Sequence, residues 1–173
     1  AIWIMNADGS DQQELTSTSA DGICADASWS ADGMAIAYVQ NSVNLCIMNA
    51  DGTGKRLLYT CSTGCINPTF YPDGKKLAFG DGSGLYEYNL ETGAVSLLHS
   101  LGGVITFISI GSDGSISVLN LAGWDVYRPG TGWGHYSASS NWCVAWSADA
   151  GAIAYVYTGG PGSLYVVSAD TSA

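Results

Sequence analysis

The chain has 173 residues, 47% of them hydrophobic and 12% charged, with 23 glycines: enough apolar material for one sizeable core and too little length for two comfortable domains. Its formal charge of -10 repels a phosphate backbone and excludes nucleic acid as a natural partner, the one basic cluster being Lys55, Arg56, Lys75 and Lys76. No apolar run reaches the ~18 residues that span a membrane, and the opening at Ala1, without a basic-then-apolar leader, reads as a chain already processed, trimmed or cut.

In chain order, the first predicted strand runs from Ile2 to Asn6 in "IWIMNADGS", with a partner near Gln12 to Thr16. "ASWSADGMAIAYV" follows from Ala27 to Val39, then "LCIMNADGT" from Leu45 and the strand "RLLYT". The pattern then starts again. "PTFYPDGKKLAFG" from Pro68 to Gly80 aligns with the Ala27 segment without a gap, and "LYEYNLETG" from Leu85 follows it. "FISIGSDGSISVL" at Phe107 and "WDVYRPGTG" at Trp124 form the next pair. "VAWSADAGAIAYV" at Val144, with Ala150 in the place of Gly33, Gly74 and Gly114, and "LYVVSAD" at Leu164 form the last. The period is about 40 residues.

Each segment is an apolar run rich in β-branched and aromatic residues around a polar Asp-Gly turn, which reads as strand, tight turn, strand. Two hairpins per repeat make four strands, and no segment shows sustained helical periodicity. Strands such as "AIAYV" and "LCIMN" are apolar throughout, so both faces of each sheet must be covered, as in a blade held between two neighbours. The expected fold is all-β: a β-propeller of about four four-stranded blades, or a four-blade segment of a larger one, as a single domain over 1–173 with repeats starting near 27, 68, 107 and 144 and partial blades at both ends. Aromatics that recur in register, Trp29, Phe70 and Trp146 in one set and Trp3, Tyr86 and Tyr165 in another, are expected to be buried between blades. The chain opens on a third and fourth strand and closes on a first, second and third, which leaves one strand surplus in a closed ring. Ile2 to Asn6 and Leu164 to Ser168 are therefore expected to meet another chain or further sequence, giving a larger ring or a fibre.

The Trp-Ser-Ala-Asp-Gly stretch at Trp29, the Ile-Met-Asn-Ala-Asp-Gly stretch at Ile47 and "YPDG" at Tyr71 to Gly74 resemble the TolB-like family of Pro-Asp propeller repeats. The resemblance covers nearly the whole chain and weakens in the last two repeats, where Gly93 and Gly132 keep their places but the aspartate is replaced. It implies a propeller. Because such repeats serve both periplasmic protein-binding propellers and the gating propellers of prolyl oligopeptidase and tricorn-type peptidases, it implies little about function.

Chemistry is sparse. His99 and His135 are the two histidines, and no GxSxG, HExxH, P-loop or GxGxxG occurs, so the chain reads as non-enzymatic and without cofactor or metal. Asp8, Asp32, Asp51, Asp73 and Asp113 are explained by turns and lack the alternating oxygen ligands of a calcium loop. None of the five cysteines forms a CxxC pair; Cys61 and Cys65 in "CSTGC" stand close enough to bridge in an oxidising compartment, or to remain a reduced pair. The stretch "GTGWGHYSASSNW" has no repeat counterpart, which makes Trp133, His135, Tyr136 and Trp142 the candidate ligand-binding residues on a loop suited to a sugar or a protein anchor. The leading reading is an extracytoplasmic, periplasmic or secreted, propeller that binds protein or self-assembles; the alternatives are a carbohydrate-binding propeller and an accessory propeller of a larger hydrolase.

Overall fold

The computed structural model describes residues 1–121, 123–136, 141–157 and 163–168, with the backbone alone at 136, 141–143, 157, 163, 167 and 168. β1 (Trp3–Ile4) and β2 (Gln13–Glu14) form a short leading sheet, followed by a single helical turn, α1 (Thr18–Asp21), capped by Ser17. Three complete antiparallel sheets come next. β3 (Cys24–Trp29), β4 (Ala35–Gln40), β5 (Asn44–Asn49) and β6 (Arg56–Thr60) make the first blade. β7 (Cys65–Phe70), β8 (Lys76–Asp81), β9 (Gly84–Asn89) and β10 (Val95–Ser100) make the second. β11 (Ile105–Ile110), β12 (Ile116–Asn120), β13 (Gly123–Arg128) and β14 (Gly132–Tyr136) make the third. β15 (Asn141–Trp146), β16 (Ala152–Tyr157) and β17 (Ser163–Ser168) form a last sheet of three strands. Among the described residues no helix is long and apolar enough to cross a membrane.

Turn chemistry closes the hairpins. In the first blade Ser30 N donates to Ala35 O at 2.9 Å and Met34 N to Asp32 Oδ1 at 3.0 Å, with Gly33 at φ 70, a conformation that a side chain disfavours. Ala150 takes the same place in the last sheet at φ 55. Each first strand begins two or three residues ahead of its repeat boundary because a bulge intervenes, for example between Ala25 and Ser28 and between Ile66 and Thr69. At these bulges Asn67 N donates to Asp26 Oδ2 at 3.2 Å, and Asn67 Nδ2 to Thr106 O at 2.8 Å, so successive first strands are linked edge to edge. β3, β7, β11 and β15 touch in succession and form the inner rim of the array.

The core is a stack of layers between sheets. Ile2 and Leu15 of the leading sheet meet Ile36, Tyr38 and Met48. Val39, Leu45 and Ile47 meet Phe70, Leu77 and Phe79. Ala78 and Leu85 meet Ile108, Ile116 and Val118, and Leu119, Trp124 and Val126 meet Val144 and Ile153. One face of β4 and β5 thus looks back and the other forward, which accounts for their unbroken apolar runs.

Burial corrects part of the aromatic reading. Phe70 is buried and Trp146 and Tyr86 half-buried, but Trp29 is 51% exposed, Trp3 57% and Tyr165 43%. Trp29 pairs with Ile36 on the face that looks back, and the leading sheet has only the equivalents of a third and a fourth strand there, so among the described residues nothing lies over the inner rim at that point. Trp3 alternates with Ile2 and Ile4, which face the first blade, and therefore points away from it. Tyr165 stacks on Tyr155 at 5.5 Å, but among the described residues no fourth strand flanks β17.

Candidate functional site

The stretch expected to be an unrepeated loop is largely regular structure. Gly130 and Gly132, at φ 92 and 84, close a turn after which Trp133 to Tyr136 pair with β13 as a standard fourth strand, and Asn141 already opens β15. Its glycines and serines hid a strand whose order comes from the β13 ladder rather than from propensity.

Trp133 is half-buried. The ring of His99, from β10 of the second blade, stacks on it at 4.1 Å and 8°, and Tyr127 tilts against it at 5.3 Å. His135 is exposed, and its Nδ1 lies 2.9 Å from Oδ1 of Asp125; His99 Nε2 stands 3.8 Å from the same oxygen. Asp125 is buried, and its Oδ2 accepts from Asn120 Nδ2 at 3.1 Å, while Asn120 Oδ1 accepts from Gly123 N at 3.0 Å. The carboxylate stands where the outer strands of two blades come together, a meeting that sequence reading missed because "WDVYRPGTG" marked Asp125 only as part of a strand. Of the four candidate residues, Trp133 and His135 are brought together here, with Tyr136 in the same strand. The side chains of Tyr136 and Trp142 lie outside the described residues.

Beside Trp133, a cleft of about 330 Å³ opens between the second and third blades, lined by Tyr71, Lys76, Glu87, Ile116, Tyr127 and Trp133 among others. Lys76 Nζ lies 3.0 Å from Glu87 Oε1 and 5.9 Å from the centre of the Tyr71 ring. Burial, and then the Glu87 carboxylate beside it, push the Tyr71 phenol well above its ordinary range.

A second, open groove of about 460 Å³ is lined by Ser62, Thr63, Asp81, Tyr86 and Val104 among others, at the turn between β8 and β9. Cys61 and Cys65 are joined by a disulfide here. Asp81 Oδ2 accepts from Ser62 N at 2.8 Å, and Oδ1 from Thr63 N at 2.8 Å and Thr63 Oγ1 at 2.7 Å. Cys24 and Cys46 are free and buried in the first blade, where burial and then the neighbouring Cys24 push the Cys46 thiol up to about 11. Among the described residues no group of three His, Cys, Asp or Glu side chains is arranged to hold a metal ion.

Radially arranged four-stranded antiparallel sheets, innermost strand first, packed face to face, define a β-propeller segment. The TolB-like character read from the repeats has its counterpart among solved structures: the chain is similar to TolB from Acinetobacter baumannii, with TM-score 0.81 and 21% identity over 98% of this chain and 46% of that one. It is similar also to a putative TolB from Agrobacterium tumefaciens, with TM-score 0.74 and 17% identity over 98% of this chain and 66% of that one. A nidogen/laminin complex matches with TM-score 0.76 and 10% identity over 90% of this chain and 63% of that one. No family model matches the chain, and no curated protein matches it in sequence. At these identities the likeness carries the fold, and the chain spans between 46% and 66% of the three structures' lengths.

Proposed function

We propose that this chain is a non-enzymatic, extracytoplasmic propeller module that works by docking, and that its two open ends are the docking faces. The carrying observation is a comparison between equivalent positions. Leu45 and Ile47 on β5 are 0% and 8% exposed because the second blade lies over them, whereas Leu164 and Val166, which hold the same places on β17, are 71% and 66% exposed. At the other end Trp3 and Met5 stand uncovered on the face turned away from the first blade. The forward face of the last sheet and the backward face of the leading sheet are the two halves of an interblade layer. The blade that covers each comes from another chain or from further sequence; in a preparation of these residues alone it is that of a second copy, joined head to tail. The disulfide between Cys61 and Cys65 and the acidic surface fit an oxidising compartment outside the cytoplasm. His99 and His135 are both turned to Asp125, which fits a structural seam better than a catalytic one.

Sedimentation or light scattering across a dilution series tests this. A mass rising with concentration above 17.9 kDa is expected, and Leu164→Glu with Val166→Glu should return the chain to a monomer of unchanged fold. A parent chain that stays monomeric at every concentration would rule out the docking role of its ends.

A further inference from the structure

We infer that the cleft between the second and third blades is a binding site for a neutral pyranose sugar, held by Lys76 and Glu87 through neighbouring hydroxyls and walled by Tyr71, Tyr127 and Trp133. This goes beyond the docking of the chain ends and involves none of the residues there.

The argument rests on what the repeat puts at these positions in the other sheets. Tyr71 N donates to Lys76 O at 3.0 Å, the bond that closes the first hairpin of the second blade. The same bond joins Ser30 to Ala35, Gly111 to Ser115 and Ser147 to Ala152. Where the other sheets carry serine or glycine, the second blade carries Tyr71, and where they carry alanine or serine it carries Lys76. Glu87 pairs with Ala78 across the ladder; its counterparts, paired with Ala37, Ser117 and Ala154, are Ile47, Val126 and Val166. At the two covered junctions those counterparts are core: Ile47 is 8% and Val126 3% exposed. Three departures from the repeat, an aromatic and two opposite charges, converge on one cleft beside the apolar cluster that joins the second and third blades. Packing does not require them, since a hydrophobic pair at such a place is commonly as stable as an ion pair or more so.

The chemistry of the walls selects the ligand. A volume of about 330 Å³ lies at the lower end of the roughly 300–1,000 Å³ of small-molecule sites and suits one ring rather than a chain. Lys76 offers donors and Glu87 acceptors 3.0 Å apart, the separation of groups that share two adjacent hydroxyls, and the phenol of Tyr71 is kept protonated. Trp133, held in place by His99, and Tyr127 supply apolar walls for the C–H faces of a sugar ring. Because the adjacent charges cancel, a neutral ligand is favoured over an anion or a cation.

Saturation-transfer NMR on the 173-residue chain, with the methyl glycosides of glucose, mannose and galactose as probes and glycine as a zwitterionic control, tests the inference. At least one glycoside should bind saturably with Kd on the order of 1 mM. Glu87→Gln should weaken that binding about tenfold or more. The double variant Lys76→Ala with Glu87→Val, which restores the residues of the other repeats and should fold at least as well as the parent, should abolish it. Absence of saturable transfer to all three glycosides, binding of glycine alone, or a double variant that binds as the parent does would each overturn the assignment.

Discussion

At the scale of single residues, carboxylates do more to shape this molecule than its few histidines do. Asp8, Asp32, Asp51 and Asp149 each take a hydrogen bond from a serine or threonine hydroxyl two residues away, Ser10, Ser30, Thr53 and Ser147, and a second from a nearby backbone N–H. Those bonds, the hydroxyl first, hold their carboxyls below the usual carboxylate range and close the turns. Asp81 does the same over a longer reach. Burial works against its charge, but the bonds from Ser62 and Thr63 outweigh burial and hold its carboxyl below the usual range. A depressed carboxylate contributes stability that is present above its unfolded value, near ~3.9, and is lost as pH falls through the lower folded value. Replacing Asp81 with Ala should therefore cost about 1–3 kcal/mol at neutral pH, measured by denaturant unfolding. Asp81→Asn should also flatten the acid limb of the stability curve below about pH 4. A neutral-pH loss with an unaltered acid limb would mean that Asp81 acts through shape and not charge.

At the scale of the element, identical strand positions have opposite energetic weight according to what lies over them. Leu45 on β5 and Leu164 on β17 hold the same place, one fully buried and one exposed. Leu45→Ala should cost about 2–5 kcal/mol, whereas Leu164→Ala in dilute monomer should stay within about 0.5 kcal/mol of the parent. Urea midpoints with a common slope measure both, and equal losses would show that β17 is covered in solution. The same reasoning accounts for Trp29: its register was legible in the repeat, but its cover was not.

Among the described residues the apolar layers join consecutive sheets in a row, so stability should be graded along the row. The second blade is covered by complete blades on both faces; the leading sheet has two short strands and one covered face. Native-state hydrogen exchange should find the slowest amides in β8 and β9 and the fastest strand amides in β1, β2 and β17. Uniform protection across all sheets would instead indicate a single cooperative unit.

Repeat period, hairpin positions and strand number could all be read from the amino acids, because each depends on neighbours in sequence: an Asp-Gly turn sets its own geometry, and an apolar run of five or six residues declares a strand buried on both faces. The resemblance of "YPDG" and its companions to TolB-like repeats pointed to the same propeller. What lies across a sheet face depends on residues a whole repeat away, about 40 positions along the chain, and no local pattern records it. Hence Trp133 and its neighbours read as a loop until β13 supplied the ladder that makes them a strand, and Asp125 carried no signal until two histidines from different blades met it. Lys76 and Glu87 stood in the chain as ordinary charges. Their meaning came from the stacking of blades, which places them with Tyr71 and Trp133 around one cleft, because only the packed array brings the faces of consecutive repeats within van der Waals reach.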